Sequence, residues 1–317
     1  GWDMGLAMAW STPVSGIAQL AAVWWAAKRM GFALRLRRPR LSPDMRRLLA
    51  VAAPAVLAGG VVQVNLLVGR QVGSFFDRGI AWLTNADRLY QLPLGVVGIA
   101  IGIVLLPDIS RRLKNGDTGG GRHAYNRAAE FALFLTVPAA VALVIAAYPL
   151  ISVLFRRGAF LTADVGPTAL ALAIYGLGLP AFVLQKVLQP LYFAREDTRT
   201  PFRFAVWSMV VNAVVALGLA PFIGFSAAAW GTTVAGWTMA AQLWRGTKAF
   251  GEAAELDDRF RHRLPRICAA SAVMGAVIWG LMLALGDTLE QPGTRYLALA
   301  ALVLGGMAAY GAAALVL

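Results

Sequence analysis

Apolar stretches near or above the ~20 residues that a helix needs to cross a bilayer recur from one end of the chain to the other, separated by short polar or basic stretches. The pattern predicts about nine membrane-spanning helices, over roughly 4–27, 48–73, 82–107, 128–154, 165–193, 204–223, 225–244, 267–285 and 295–317. Several run longer than a bare crossing requires, which implies tilt or ends that reach into the headgroups. The expected fold class is an all-α polytopic membrane protein.

The loops between these spans alternate in charge. Loop 28–47 holds eight Lys and Arg, and loop 108–127 holds five. The fifth loop adds Arg195, Arg199 and Arg203, and the seventh adds six more between Arg245 and Arg266. The intervening loops carry only Arg78, Arg156, Arg157 and Arg295. Basic loops stay cytoplasmic, so the odd-numbered loops are assigned to the cytoplasm.

Three basic residues are left inside spans: Arg70, Arg88 and Lys186. In the third span, Arg88, Gln91, Gly95, Gly98 and Gly102 follow spacings of three and four, so they share one helix face. Gly98 and Gly102 form a GxxxG, which permits close helix contact. Asp87 adjoins Arg88. In the second span, Gly59 or Gly60, Gln63 and Arg70 share a face, with Asn65 nearby, and Arg70 and Arg88 are expected at similar depth. Lys186 and Gln189 share a face of the fifth span. Two readings of these charges stay open. Each side chain snorkels to the nearest interface, or together they line a cationic, water-filled cavity, where arginine forks suit phosphate or carboxylate. Pro13, Pro54, Pro93, Pro138 and Pro180 fall within spans and permit kinks.

Composition narrows the function. The chain of 317 residues is 59% hydrophobic and only 14% charged, with a net charge of +13. The positive-inside rule accounts for that excess, and no aromatic-interleaved basic patch points to nucleic acid. The lone Cys268 excludes an intrachain disulfide. His123 and His262 lack metal-ligand spacing, so no metal is expected. Residues 115–122 (NGDTGGGR) make a flexible loop rather than a phosphate loop. Residues 251–266 mix acids and bases and read as a linker helix on the cytoplasmic surface. No HExxH, GxSxG or SxxK motif occurs, which favours a transporter without a cofactor over an enzyme.

Three stretches carry a resemblance: ADRLYQLPLGVVGIAIGIVLLPDISR (86–111), KVLQPLYFAREDTRTPFR (186–203) and AAPAVLAGGVVQVNLLVGRQVGS (52–74). They resemble the eighth helix, the segment leaving the tenth helix and the seventh helix of the MurJ/MviN lipid II flippases, of the MOP exporter superfamily. That family has fourteen helices in two lobes. The resemblance implies that the spans here are family helices six to fourteen, with the N-terminal lobe largely missing. The chain opens at Gly1 without an initiator Met and closes at Leu317 inside an apolar run, so a piece of a longer protein is expected.

The resemblance implies three regions. Residues 1–47 would hold the last N-lobe helix and a basic cytoplasmic linker. Residues 48–250 would form a six-helix C-terminal transporter lobe. Residues 251–317 would be a linker and a C-terminal helix pair forming a groove for a lipid tail. It implies lipid II, an undecaprenyl-diphosphate-linked peptidoglycan precursor, as the substrate moved by alternating access across the bacterial inner membrane. Cell-wall synthesis proteins are candidate partners. Arg88 matches an essential family arginine and Asp87 its neighbour, while Gln91 stands where some members carry an acid. The expected substrate-binding set is Arg88, Asp87, Arg70, Gln91 and Lys186, with Asp87 holding the Arg88 side chain or tuning its charge. The alternative is another MOP-type exporter, of polyprenyl-diphosphate oligosaccharides or of drugs.

Overall fold

A computed structural model describes residues 2–31, 42–43, 45–46, 67–291 and 293–317. The second predicted span up to residue 66, with Pro54, Gly59, Gly60, Gln63 and Asn65, lies outside the described residues, as does most of the basic loop 28–47. The chain divides into two compact units, Gly1–Val51 and Ala52–Leu317.

The first unit contains helix α1 (Trp2–Arg29), which ends on Lys28 and Arg29. The Arg29 guanidinium lies 4.0 Å from the centre of the Trp25 ring. A cation over an indole at the basic end of an apolar helix suits a membrane–water interface.

The second unit contains a helical segment at 67–74, followed by α2 (Gly79–Lys114), α3 (Thr118–Ile145), α4 (Ala147–Phe155) and α5 (Thr162–Phe193). After these come α6 (Arg199–Ile223), α7 (Ser226–Thr247), α8 (Asp258–Leu285) and α9 (Arg295–Val316). Among the described residues, five helices are long and apolar enough to cross a membrane: α3 from Gly119, α5, α6, α8 with the 3-10 turn that follows it, and α9. α1, α2 and α7 are not among them, so the structure supports a polytopic helical membrane protein without fixing the count at nine.

α5 is the centre of the second unit and packs on α2, α3, α4 and α7. Leu172, Leu179, Leu188 and Leu191 on α5 are fully buried. α6 pairs with α7, and α8 pairs with α9 and leans on α3. A second apolar cluster joins α8 and α9 to the α3–α4 corner through Met274, Ile278, Leu302 and Tyr310. Lipid chains are as apolar as leucine, so these contacts are held by close van der Waals fit rather than by escape from water. Gly231 shows how close the fit is: a Cβ there would stand 2.5 Å from Asn212 Oδ1 and 2.8 Å from Ala216 Cβ.

Two expectations need correction, and the prolines within the spans also find their place. The basic loop 108–127 is mostly helix, because α2 runs on to Lys114 and α3 begins at Thr118. Asp108 pairs with Arg111 and Arg112 one turn on, at 3.1 and 2.9 Å, which supports continued helix, and Asp117 accepts the Gly120 N–H at 2.8 Å as a cap. Residues 258–266 are no separate surface helix but the opening turns of α8, capped by Asp257 at the Phe260 N–H. Finally, Pro13, Pro93, Pro138 and Pro180 all lie inside continuous helices. The break falls instead at Ala146, between α3 and α4. Pro149 explains it: a proline ring clashes with the carbonyl four residues back, here Ile145, and supplies no N–H to it.

Candidate functional site

Among the described residues, the buried positions of α2 are Gly79, Leu83, Ala86, Tyr90 and Val97. At about 100° per residue they fall within an arc of ~60°. Arg88, Gln91, Gly95 and Gly98 form a second arc, centred ~130° away around the helix. Arg88 and Gln91 are exposed, and the two glycines are half-buried. The stripe that carries Arg88 therefore looks away from the core of its own bundle. Gly102 lies among residues whose surroundings are outside the description.

Asp87 sits between the two arcs, half-buried, and accepts a hydrogen bond from Gln91 Nε2 one turn on. It does not hold Arg88. Neighbouring helical residues project ~100° apart, whereas residues four apart share a face. Asp87 and Gln91 thus form one polar unit beside the exposed guanidinium.

Lys186 of α5 reaches the same stripe from the other end. It is exposed, and its Cγ lies 3.7 Å from where a Cβ on Gly98 would be. Arg88 and Gly98 are ten residues apart, or ~15 Å along the axis. The two cations thus mark the ends of one elongated polar track.

Arg70 is exposed on the segment 67–74. It stands four residues before the end of that segment, and Arg88 stands nine after the start of α2. At 1.5 Å per residue these are ~6 and ~14 Å from the turn, so Arg70 and Arg88 are not level as expected. Among the described residues, no carboxylate pairs with Arg70, Arg88 or Lys186. Seven cations at the helix ends do have acidic partners: Arg78, Arg111, Arg112, Arg122, Arg127, Arg259 and Arg263.

Two ionic nodes were not legible as such in the sequence. On the sparsely basic side, Asp164 in the first turn of α5 is buried and takes three hydrogen bonds of 2.8 Å, from Arg78 Nη1, Trp82 Nε1 and the Leu161 N–H. Its signal was its place three residues after Leu161, in the N3 position of a capped helix. On the basic side, Glu130 of α3 accepts from Arg127 and Arg263, with Arg259 at 3.5 Å. Arg127 also pairs with Asp257, whose N–H donates to Asn126 Oδ1 at 3.0 Å. Burial pushes the Asp257 carboxyl up, but the Phe260 N–H and the Arg127 guanidinium outweigh it and hold it below the usual carboxylate range.

Among the described residues no group of His, Cys, Asp and Glu could hold a metal ion. The arrangement offers exposed cations along one face of α2 and its neighbour α5. It can bind an anion without consuming or forming bonds.

The family model and the curated relatives agree on one family. A family model described as lipid II flippase MurJ matches residues 1–288. A probable lipid II flippase MurJ from Rhizobium meliloti is 42% identical over 319 residues, covering 98% of this chain and 58% of that protein. Its counterpart from Rhizobium tropici is 42% identical over 309 residues, covering 96% and 57%. A solved lipid II flippase MurJ, in an inward closed conformation, superposes with a TM-score of 0.71 at 25% identity, covering 87% of this chain and 56% of that one. An outward-facing multidrug resistance transporter of the MATE family, in the MOP superfamily, superposes with a TM-score of 0.50 at 17% identity, over 83% and 62%. That likeness speaks for the fold alone. The chain spans somewhat over half the length of the curated relatives it matches.

Proposed function

The chain belongs to the lipid II flippase MurJ family, and from that premise we propose that it forms a large part of a carrier that moves lipid II to the outer leaflet of the bacterial inner membrane. The observation that carries this reading is the track from Arg88 to Lys186, turned away from the bundle core and bearing cations that no carboxylate among the described residues neutralises. A charged side chain at the centre of a membrane helix costs about 2.5–3.5 kcal/mol on insertion scales. A diphosphate repays that cost when it binds, and an arginine fork offers it two parallel hydrogen bonds.

In this reading Arg88 grips the diphosphate. Asp87 and Gln91, bonded to each other, keep the neighbouring surface polar without neutralising the guanidinium. Lys186 and Arg70 supply further positive charge at other depths, so the headgroup meets a cation at successive points of its passage. The helices of 48–250 act as the lobe that rocks, and 251–317 adds a helix pair at its flank. Alternating access then exposes the track to each leaflet in turn.

The test is complementation by the complete reading frame that encodes this chain, in a bacterium depleted of its own lipid II flippase. Wild type should restore growth and the outward appearance of lipid II. Arg88→Ala, inserted at equal level, should not. Arg88→Lys should recover little, because an ammonium lacks the planar fork. Rescue by Arg88→Ala would remove Arg88 from the site. Failure of the well-expressed wild type would shift the substrate to another polyprenyl-linked anion.

A further inference from the structure

The Arg88 face is set from the first turn of its own helix. Between the segment 67–74 and α2 the chain turns in four residues, and Arg78 at its end holds φ 60°, in the left-handed region that bulky side chains rarely adopt. Such a conformation persists only where the surroundings hold it. Here the holder is Asp164, whose side chain is 5% exposed and which receives the Arg78 guanidinium at 2.8 Å. The same carboxylate takes the indole N–H of Trp82, in the first turn of α2, on its other oxygen at 2.8 Å. The indole is held by a second contact as well, because the Trp82 and Phe225 rings stand edge to face with centroids 4.9 Å apart.

Trp82 is therefore clamped between α5 and the α6–α7 turn. A clamped bulky side chain in the first turn fixes the rotation of the helix about its own axis. Six residues separate Trp82 from Arg88, which amounts to ~240° of rotation and ~9 Å of rise. Clamping Trp82 inward therefore turns Arg88 outward. A slip of ~100°, one residue's worth, would carry Arg88 toward the buried arc of Leu83, Ala86 and Tyr90.

We propose that Asp164 is a positioning residue: by gripping Arg78 and Trp82 together it locks the azimuth of α2 and so keeps Arg88 on the substrate face. Its importance for transport rests on the proposed function above. Its geometry does not, and the test separates the two.

The experiment uses the complete protein in a cysteine-free background, with a single reporter cysteine at Arg88→Cys or, as a control in the exposed opening turn of α8, at Arg261→Cys. Each reporter is combined with Asp164→Asn, which keeps the shape of Asp164 but turns an amide N–H₂ toward one of its three donors. A second series uses Trp82→Phe, which deletes one donor and keeps the ring against Phe225. The measurement is the rate of reaction with a charged thiol reagent in membranes. Losing a hydrogen bond to a charged group shifts an orientational equilibrium by about tenfold or more, so both substitutions should change the rate at position 88 by about that factor and leave position 261 unchanged. An unchanged rate at position 88 in both series overturns the proposal, as does an equal change at both reporters, which would signal general loosening. If Asp164→Asn fails to accumulate, Trp82→Phe decides alone. With Arg88 restored, Asp164→Asn should also raise the lipid II concentration needed for half-maximal flipping. Labelling needs no lipid II, so a protein that flips none would overturn the transport reading and leave this result standing.

Discussion

The stem of Lys186 lies across Gly98 of α2, at ordinary van der Waals distance from the place a Cβ would occupy. At 3.7 Å an added methyl fits without moving the lysine. Gly98→Ala should therefore preserve membrane level and transport within about twofold, apart from a small gain in helix propensity. A leucine at the same place would drive into the lysine stem and fill the track. Gly98→Leu is expected to insert normally and to lose transport by about tenfold or more, as misplacing a substrate-positioning group does. The complementation assay with quantified membrane protein reads both. Equal activity of the two variants would show that the track does not pass this point.

Glu130 is the hub of the basic-side node, and removing it leaves Arg259 and Arg263 without an acidic partner, while Arg127 keeps Asp257. Its own side chain is 11% exposed, and its partners Arg127 and Arg263 are 22% and 49% exposed. Breaking a buried pair by deleting one member costs about 3–5 kcal/mol, and the half-exposed Arg263 argues for the lower end. Glu130→Ala should lower the thermal unfolding midpoint in detergent and loosen α8 against α3 first, seen as faster proteolysis or hydrogen exchange near 257–263. Glu130→Gln keeps the shape but loses the charge and should fall between the two.

How much of this was legible in the chain depends on the range of the interaction. The apolar stretches announce the helices because their period is local, and the cores of α3, α5, α6, α8 and α9 lie where the pattern puts them. The helix ends were misjudged where charges follow an apolar run, as at 108–114 and 258–266. Charge alone looks like loop there, while the i to i+4 pairing that sustains helix needs the partner geometry. The break at Ala146 was readable in principle from Pro149, three residues on, but prolines are common enough in membrane helices that no single one announces a break. The spacing of Arg88, Gln91, Gly95 and Gly98 gave their shared face directly, but not that the face turns outward, since that depends on which side α5 covers. The Asp164 node was out of reach because its partners are 82 and 86 residues away. Nothing in a local window distinguishes a buried carboxylate with three donors from a solvated one.

Gly231 permits the approach of α7 to α6, and the contact leaves no room. A Cβ would meet the Asn212 carbonyl oxygen at 2.9 Å, besides the closer Asn212 Oδ1 and Ala216 Cβ. Two of these three atoms belong to backbone or a short, buried side chain, so they cannot swing aside as the end of a long chain would. Overpacking of this kind costs about 1–3 kcal/mol. Gly231→Ala should lower the unfolding midpoint in detergent, and Gly231→Leu should prevent accumulation. Gly218, with open space around it, is the control: Gly218→Ala should be neutral.

Asp257 ties pH to the same α3–α8 junction. Its carboxyl is held below the ordinary range mainly by the Phe260 N–H and Arg127, against the opposing pull of burial. A carboxylate with a depressed folded-state pKa adds stability that is complete above its unfolded value of about 3.9 and is lost as pH falls through the folded value. At pH 7 wild type should therefore exceed Asp257→Asn in unfolding midpoint. The asparagine can still cap Phe260, so the loss should be only part of the ~1–2 kcal/mol of a full capping residue, with the ion pair to Arg127 adding to it. The gap between the two proteins should stay flat from pH 7 to about 5 and close only below about pH 4. Thermal unfolding of both across that range measures it. A gap that begins to close near pH 6 would mean that the titrating group is not Asp257.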